Sequence, residues 1–275
     1  MSSRRIPSVN LAEPVYGHEL DLDDPAEILH EASKLQPTLV PRQLRGVWAL
    51  ERNEALQAST ARAVRRNPAL PRVPLPEQAL PPVPLATTLR CRRTPDRFGE
   101  APLQLVQVAA LLSAGYGISG EMRGRGETGS LSLRTAPSAG ALYPLELFVS
   151  AQRVDGLHRG LYHYDPLDHA LERLEGDADA AAISPQPDAV DRAAAIFFVA
   201  AVFWRSRFKY GLRAYRFTLL EAGHVAQNVL LAATALGLGS IVLGGFYDSR
   251  VDSLLGLDGV NESTLVAVCL GRTPR

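Results

Sequence analysis

Five cationic side chains, Arg205, Arg207, Lys209, Arg213 and Arg216, stand among Phe208, Tyr210, Tyr215 and Phe217 in the stretch RSRFKYGLRAYRFTLLEAGH, residues 205–224. Such a run suits the phosphates of a nucleic acid, a solvated face or the wall of an active site. A second window, RTAPSAGALYPLELFVSA (134–151), carries Pro137, Ser138, Ala139 and Gly140 as a small-residue turn ahead of a strand. Backbone N–H groups of such a turn can approach a flat or anionic ligand closely; an ordinary tight turn is the plainer reading. In LRCRRTPDRFGEAPL (89–103), Arg90, Arg92, Arg93 and Arg97 surround Thr94. Arginine forks and a hydroxyl suit phosphate recognition, and a solvated basic loop explains them equally.

Other motifs carry less. GLGSIVLGGFYD (237–248) is glycine-rich, but its glycines close a helix and flank a strand, the reverse of a dinucleotide fingerprint. Gly244-Gly245 then serves either a turn or the close approach of backbone to a ligand. Glu221 and His224 have the Glu-x-x-His spacing of carboxylate-bridged metal sites, but those need the motif twice; a structural helix pair is the expectation. The remaining histidines are not grouped as metal ligands, and no nucleophile elbow, P-loop or His-Glu-x-x-His occurs.

The elements that must position these residues follow from pattern. DDPAEILHEASKL predicts a helix capped by Asp24 with Pro25 at its first position, and LERNEALQASTARAVRR a second. NPALPRVPLPEQALPPVPL reads as a stiff extended linker whose prolines forbid a regular ladder. The chain thus divides into a helical N-terminal appendage (1–67), a proline-rich linker (68–86) and a compact domain (87–275). Within that domain PLQLVQVAALLSAGYG predicts a helix, followed by the glycine-rich loop GISGEMRGRGETGS. A long helix is expected over 212–236 and a short one at SRVDSLLGL. LELFVSAQRV, GLYHYDP, HALERLE, AAIFFVAAVF, SIVL and STLVAVCLG predict strands. Strands and helices intermix without a βαβ repeat, so the fold class is α+β.

Composition trims the options. With 275 residues, 46% of them hydrophobic, the chain can bury a large core. Lys plus Arg and Asp plus Glu each number 29, so no global field draws it to nucleic acid or a membrane surface. Two cysteines cannot make a disulfide framework. MSSRRIPSVN lacks a signal-peptide apolar stretch, and the apolar run 225–246 is broken by glycines, Gln227 and Asn228. A cytoplasmic protein that is not membrane-spanning is expected.

Four blocks in order, RTAPSAGALYPLELFV, GLYHYDPLDHALERL, KYGLRAYRFTLLEAGHVAQNVLLAATALGLGS and LGGFYD, resemble the SagB-type azoline dehydrogenases, a flavin-dependent branch of the nitroreductase superfamily. The likeness runs from about Arg92 to Arg272. It implies an α+β nitroreductase-like mixed sheet flanked by helices, an intertwined homodimer and flavin mononucleotide (FMN) at the subunit interface. The family's phosphate motif falls on Arg92, Arg93 and Thr94. Asp96 stands where a cation is usual, and Arg97 is next in line to replace it. Pro137, Ser138, Ala139 and Gly140 would lie against the flavin, Gly244 and Gly245 would place a backbone N–H near its N5, and Arg272 would be a further phosphate ligand.

The family's Lys-Tyr pair falls on Lys209 and Tyr210. Making a thiazoline or oxazoline aromatic removes a hydride and a proton, so a base is needed. Lysine and tyrosine ordinarily titrate at about 10.4 and about 10. Neighbouring positive charge favours neutral lysine and tyrosinate, so Arg205, Arg207 and Arg213 are expected to serve the pair. Which of the two is the base stays open. The implied activity is oxidation of azoline rings in a ribosomally made precursor peptide, with oxygen restoring the flavin and a cyclodehydratase as a partner. Rival readings are an NAD(P)H-dependent nitro or quinone reductase, a flavin-free scaffold subunit and a nucleic-acid binder.

Overall fold

The computed structural model describes residues 24–37, 40, 45–61, 64–77, 79–123, 130–176, 183–185, 187, 190 and 192–274. The first 23 residues of the expected appendage and the centre of the glycine-rich loop (124–129) lie outside the described residues.

Asp24 caps the first helix, α1 (Pro25–Ala32), its carboxylate accepting the Ala26 N–H at 2.8 Å. The second expected helix, over 50–66, is broken: its first residues end α2 (Arg45–Arg52), which begins earlier, and the next form α3 (Glu54–Ala61). Asn53 makes the break: its side-chain oxygen accepts the Leu56 N–H at 2.9 Å and so starts a new helix. The proline-rich linker is not wholly free of ladder pairing. Arg72–Pro74 forms β1 against β8 (Ala170–Arg173), with Pro74 at the last position of an outer strand, where its missing donor costs least. The linker's end winds into α4 (Leu85–Cys91), so the basic stretch expected as a loop begins on a helix.

The compact part follows as β2 (Leu103–Gln104), α5 (Leu105–Tyr116), the hairpin β3 (Ile118–Arg123) and β4 (Ser130–Arg134), then β5 (Leu145–Ala151), β6 (Val154–Asp155) and β7 (Gly160–Asp165). After β8 come β9 (Ala195–Val202), α6 (Trp204–Tyr210), α7 (Arg213–Ala235), β10 (Gly239–Leu243), α8 (Asp248–Leu255) and β11 (Glu262–Gly271). Among the described residues seven strands form one sheet in the order β1-β8-β7-β5-β9-β11-β10. All its neighbours are antiparallel, and the short parallel pair β2–β6 stands apart.

Both faces of the sheet are covered. Successive side chains of β9 point to opposite sides, so Phe197 joins the cluster beneath α5 and α7 while Phe198 joins Phe98, Val251 and Leu255 of α8 on the other face. Each such ring withdrawn from water contributes about 2 kcal/mol, which is why β5 and β9 read as nearly unbroken apolar runs. Among the described residues no helix is long and apolar enough to cross a membrane.

Candidate active site

Lys209 and Tyr210 close the short helix α6, and Gly211 ends it with φ 56°, a left-handed conformation that turns the chain directly into α7. The tight corner brings Phe217 of α7 edge-on to Tyr210, ring centroids 5.2 Å apart. The other end of α6 is tied to the sheet: Arg205 pairs with the buried carboxylate of Glu146 on β5.

The cationic stretch is therefore divided among several tasks. Arg207 lies over the Trp204 ring at 4.8 Å. Arg213 donates to the Ser33 carbonyl at 3.3 Å, and Arg216 to the Ser33 hydroxyl at 2.7 Å and to the His30 carbonyl, so both hold the C-terminal end of α1. Arg205, Arg207 and Arg213, expected to serve the Lys-Tyr pair, each have a partner of their own, respectively a carboxylate, a ring and a carbonyl. Helix α2 also touches α6. A Cβ added to Gly46 would lie 2.0 Å from the Phe208 carbonyl oxygen, so the two backbones meet there.

Opposite the pair lies the turn predicted from sequence. Gly140 (φ 66°), Ala141 (φ 53°) and Tyr143 (φ 45°) all sit in the left-handed region, and for the last two this costs energy. Hydrogen bonds hold the strained segment. Ser138 Oγ accepts the Tyr143 N–H at 3.0 Å, Tyr143 Oη accepts the Arg134 N–H at 3.1 Å, and Tyr116 Oη accepts the Leu145 N–H at 3.3 Å. A Cβ on Gly140 would lie 2.4 Å from Tyr210 Oη and 2.6 Å from Lys209 Nζ. Both functional groups thus converge on one glycine of the turn, and a side chain there would have to push the tip of Lys209 or Tyr210 aside.

Beneath the turn the electrostatics are unusual. The Arg134 guanidinium stacks over Tyr116 at 4.2 Å and Tyr143 at 5.2 Å. Glu221 of α7 is buried and accepts the Tyr116 hydroxyl at 2.6 Å. Burial pushes its carboxyl up to about 7 against the opposing pull of Ser138, Tyr116 and Arg134. Burial likewise raises Tyr116. At Glu146 burial also opposes ionisation, but Arg205, His163 and Arg134 outweigh it and hold the carboxyl at about 2. His163 bridges Glu146 at 2.9 Å and Glu172 at 3.1 Å within the sheet.

The residues assigned to a phosphate gather elsewhere. The Gly99 N–H donates to the Arg272 carbonyl at 2.7 Å, which brings the segment after Arg92, Arg93 and Thr94 beside Arg272. Thr94 is exposed and Arg92 and Arg272 are half-buried. Arg93 also caps α4, donating to the carbonyls of Arg90 and Arg92 at 2.8 and 2.7 Å. Asp96 and Arg97 are both exposed. Gly244 and Gly245 follow β10, and nothing among the described residues lies within 4 Å of a Cβ built on either.

Strand register sets the spacing of these groups. Leu145 pairs with Ala201 and Ala201 with Ser263, so the Pro137–Gly140 turn and Gly244-Gly245 are at one end of the sheet; Ala151, Ala195, Leu270 and hence Arg272 are at the other. Those ends are about 20 Å apart along β5, and β10 is three strand spacings, about 14 Å, from β5. Within one chain the structure joins Lys209, Tyr210, Ser138, Ala139 and Gly140, but not these with Arg92, Thr94, Gly244 or Arg272. Sequence reasoning treated Glu221 as structural and did not single out Tyr116, Arg134 or Tyr143. The available signal was a carboxylate set in a nearly all-apolar helix.

The Nitroreductase family model matches residues 89–272. A protein of Methanocaldococcus jannaschii that carries the nitroreductase name is 35% identical over 193 residues, covering 69% of this chain and 91% of its own. The microcin B17-processing protein McbC of Escherichia coli is 32% identical over 146 residues, 50% of this chain and 54% of its own; the chain spans about half of that relative. Among solved structures, a nitroreductase-named protein of Ralstonia eutropha superposes with a TM-score of 0.62 at 27% identity, covering 76% of this chain and 93% of its own.

Proposed function

The chain belongs to the nitroreductase family of oxidoreductases, and from that premise we propose that it is an FMN-dependent azoline oxidase, a branch of SagB type, acting on a ribosomally made peptide. The observation that carries the reading is the convergence of Lys209 and Tyr210 on Gly140. A reductase that passes electrons between small molecules needs no dedicated base, whereas aromatising an azoline ring requires a proton to leave carbon. The likeness to a protein named for processing microcin B17 supports a peptide substrate.

The residues present fit FMN. Exposed Thr94 and half-buried Arg92 and Arg272 offer a hydroxyl and guanidinium forks for a phosphate. Open space over Gly244 and Gly245 admits a flat ring against backbone. Because these groups and the Pro137–Gly140 turn are separated within one chain, the reading requires a second copy to complete each site, a homodimer. Leu219 and Leu220 on α7 and Val242 on β10 are exposed and suit such an interface.

FMN, when bound, supplies the two-electron acceptor for the hydride. The chain's own residues do the rest. Lys209 or Tyr210 takes the ring proton, and its partner orients the base. The strained turn presents Gly140 N–H and its neighbours to the ring without a side chain in the way. Because an azoline must be made by loss of water from a Cys, Ser or Thr side chain and the preceding amide, a cyclodehydratase has to precede this step.

The test is spectroscopic. Protein reconstituted with FMN is mixed, under nitrogen, with an azoline-bearing peptide or with NADPH. Bleaching of the oxidised-flavin bands by the peptide is the expected result. Bleaching by NADPH alone would transfer the protein to the nicotinamide-dependent reductases, and failure to take up FMN would leave a scaffold.

A further inference from the structure

Glu221 is 2% exposed and sits under the turn that faces the Lys-Tyr pair. The Tyr116 hydroxyl of α5 donates to its carboxylate at 2.6 Å, and the Ser138 hydroxyl of the turn is near enough to pull its pKa down. Each also holds a backbone group: Tyr116 the N–H of Leu145 at 3.3 Å, Ser138 the N–H of Tyr143 at 3.0 Å. The segment between β4 and β5 has no ladder to satisfy those donors, so its path depends on side chains. Arg134 is the charged group facing Glu221, held over the Tyr116 ring. Glu221 is thus the root from which both anchors of the strained turn spring.

We propose that Glu221, acting through Ser138 and Tyr116, is the positioning residue that holds Gly140 against Lys209 and Tyr210, and that gain of a proton on Glu221 reverses the Ser138 hydroxyl. The inference rests on the reading of that cluster as the active site. As a carboxylate, Glu221 accepts both hydroxyl hydrogens. As an acid it keeps one accepting oxygen, which the Tyr116 hydroxyl can still reach, while its other oxygen donates its hydrogen to Ser138 Oγ. The Ser138 hydrogen then turns away from Glu221 and one anchor is rearranged. Burial raises the Glu221 carboxyl to about 7, so both forms are present at neutral pH.

The experiment uses full-length protein. Turnover of an azoline peptide by the FMN-loaded wild type, Glu221→Gln, Ser138→Ala and a Lys209→Ala, Tyr210→Phe double variant is followed from pH 5.5 to 8.5, and cofactor-free melting is recorded over the same range. In the wild type, kcat/KM is expected to rise through an inflection near pH 7. Glu221→Gln and Ser138→Ala should lack the inflection and run about tenfold below the wild-type plateau, the scale of a misplaced catalytic group. A carboxyl raised by folding stabilises while protonated and loses that contribution as pH rises through its folded value. The wild-type Tm should therefore fall relative to that of Glu221→Gln up to about pH 7 and run parallel to it only above that. Parallel melting curves and an unchanged inflection in both variants would overturn the Glu221 assignment alone. Full activity in the Lys209→Ala, Tyr210→Phe double variant would instead overturn the reading of the site, and the cofactor-free melts would still report on Glu221.

Discussion

Gly140 and Tyr210 are 70 positions apart in sequence, yet a single methyl group on Gly140 would lie 2.4 Å from the Tyr210 hydroxyl. Gly140 also has φ 66°, which a residue with a Cβ adopts at a cost of about 1–2 kcal/mol. Gly140→Ala therefore meets two penalties at once. It is expected to melt lower and to lose azoline turnover by at least about tenfold, since the turn or the Tyr210 ring must shift. Steady-state kinetics beside a melting curve checks both.

Lys209→Ala and Tyr210→Phe separate the base from its partner. Removing a general base costs about 10²–10⁴ in rate, and the variant with the larger loss in kcat identifies it. Tyr210→Phe keeps the ring packed on Phe217 and removes only the hydroxyl, so stability should be unchanged.

Acid stability depends on Glu146. Its carboxyl is held at about 2 in the folded chain against about 4.3 when unfolded. A depressed carboxylate stabilises above its unfolded value and loses that contribution as pH falls toward the folded one. The wild type should accordingly lose stability between about pH 4.5 and 2. Glu146→Gln leaves Arg205 without its anion and is expected to cost about 3–5 kcal/mol near pH 7, with a flatter acid limb in urea unfolding measured at each pH.

The segment from α1 to α2 braces α6. Arg213 and Arg216 satisfy acceptors at the end of α1, and Gly46 of α2 meets the α6 backbone at Phe208. Arg213→Ala with Arg216→Ala should release α1, seen as faster proteolysis within residues 24–37 at unchanged FMN content. Gly46→Val should lower kcat more than it raises KM, because it displaces the helix that carries Lys209 and Tyr210.

Much of this was legible in the sequence. Helix caps, apolar runs and turn residues gave the strands and the long α7 close to their observed bounds, because each is a local signal. The Pro137–Gly140 and Lys209-Tyr210 strings were visible separately, and their meeting depends on the α6–α7 corner at Gly211, which no spacing records. Glu221 was passed over because its partners, Tyr116 and Ser138, lie 105 and 83 residues away. The linker misled in part: prolines exclude a central strand, yet Arg72–Pro74 pairs at the sheet margin. The partners of the arginines were not legible, since charge alone does not say whether a guanidinium meets a carboxylate, a ring or a helix end.

Mass spectrometry of an azoline-bearing peptide incubated under air with the FMN-loaded protein tests the central claim most directly. Loss of two hydrogens per ring is expected with the wild type and none with the Lys209→Ala, Tyr210→Phe double variant at equal flavin content. A peptide of unchanged mass with the wild type, or equal conversion by the double variant, would contradict it.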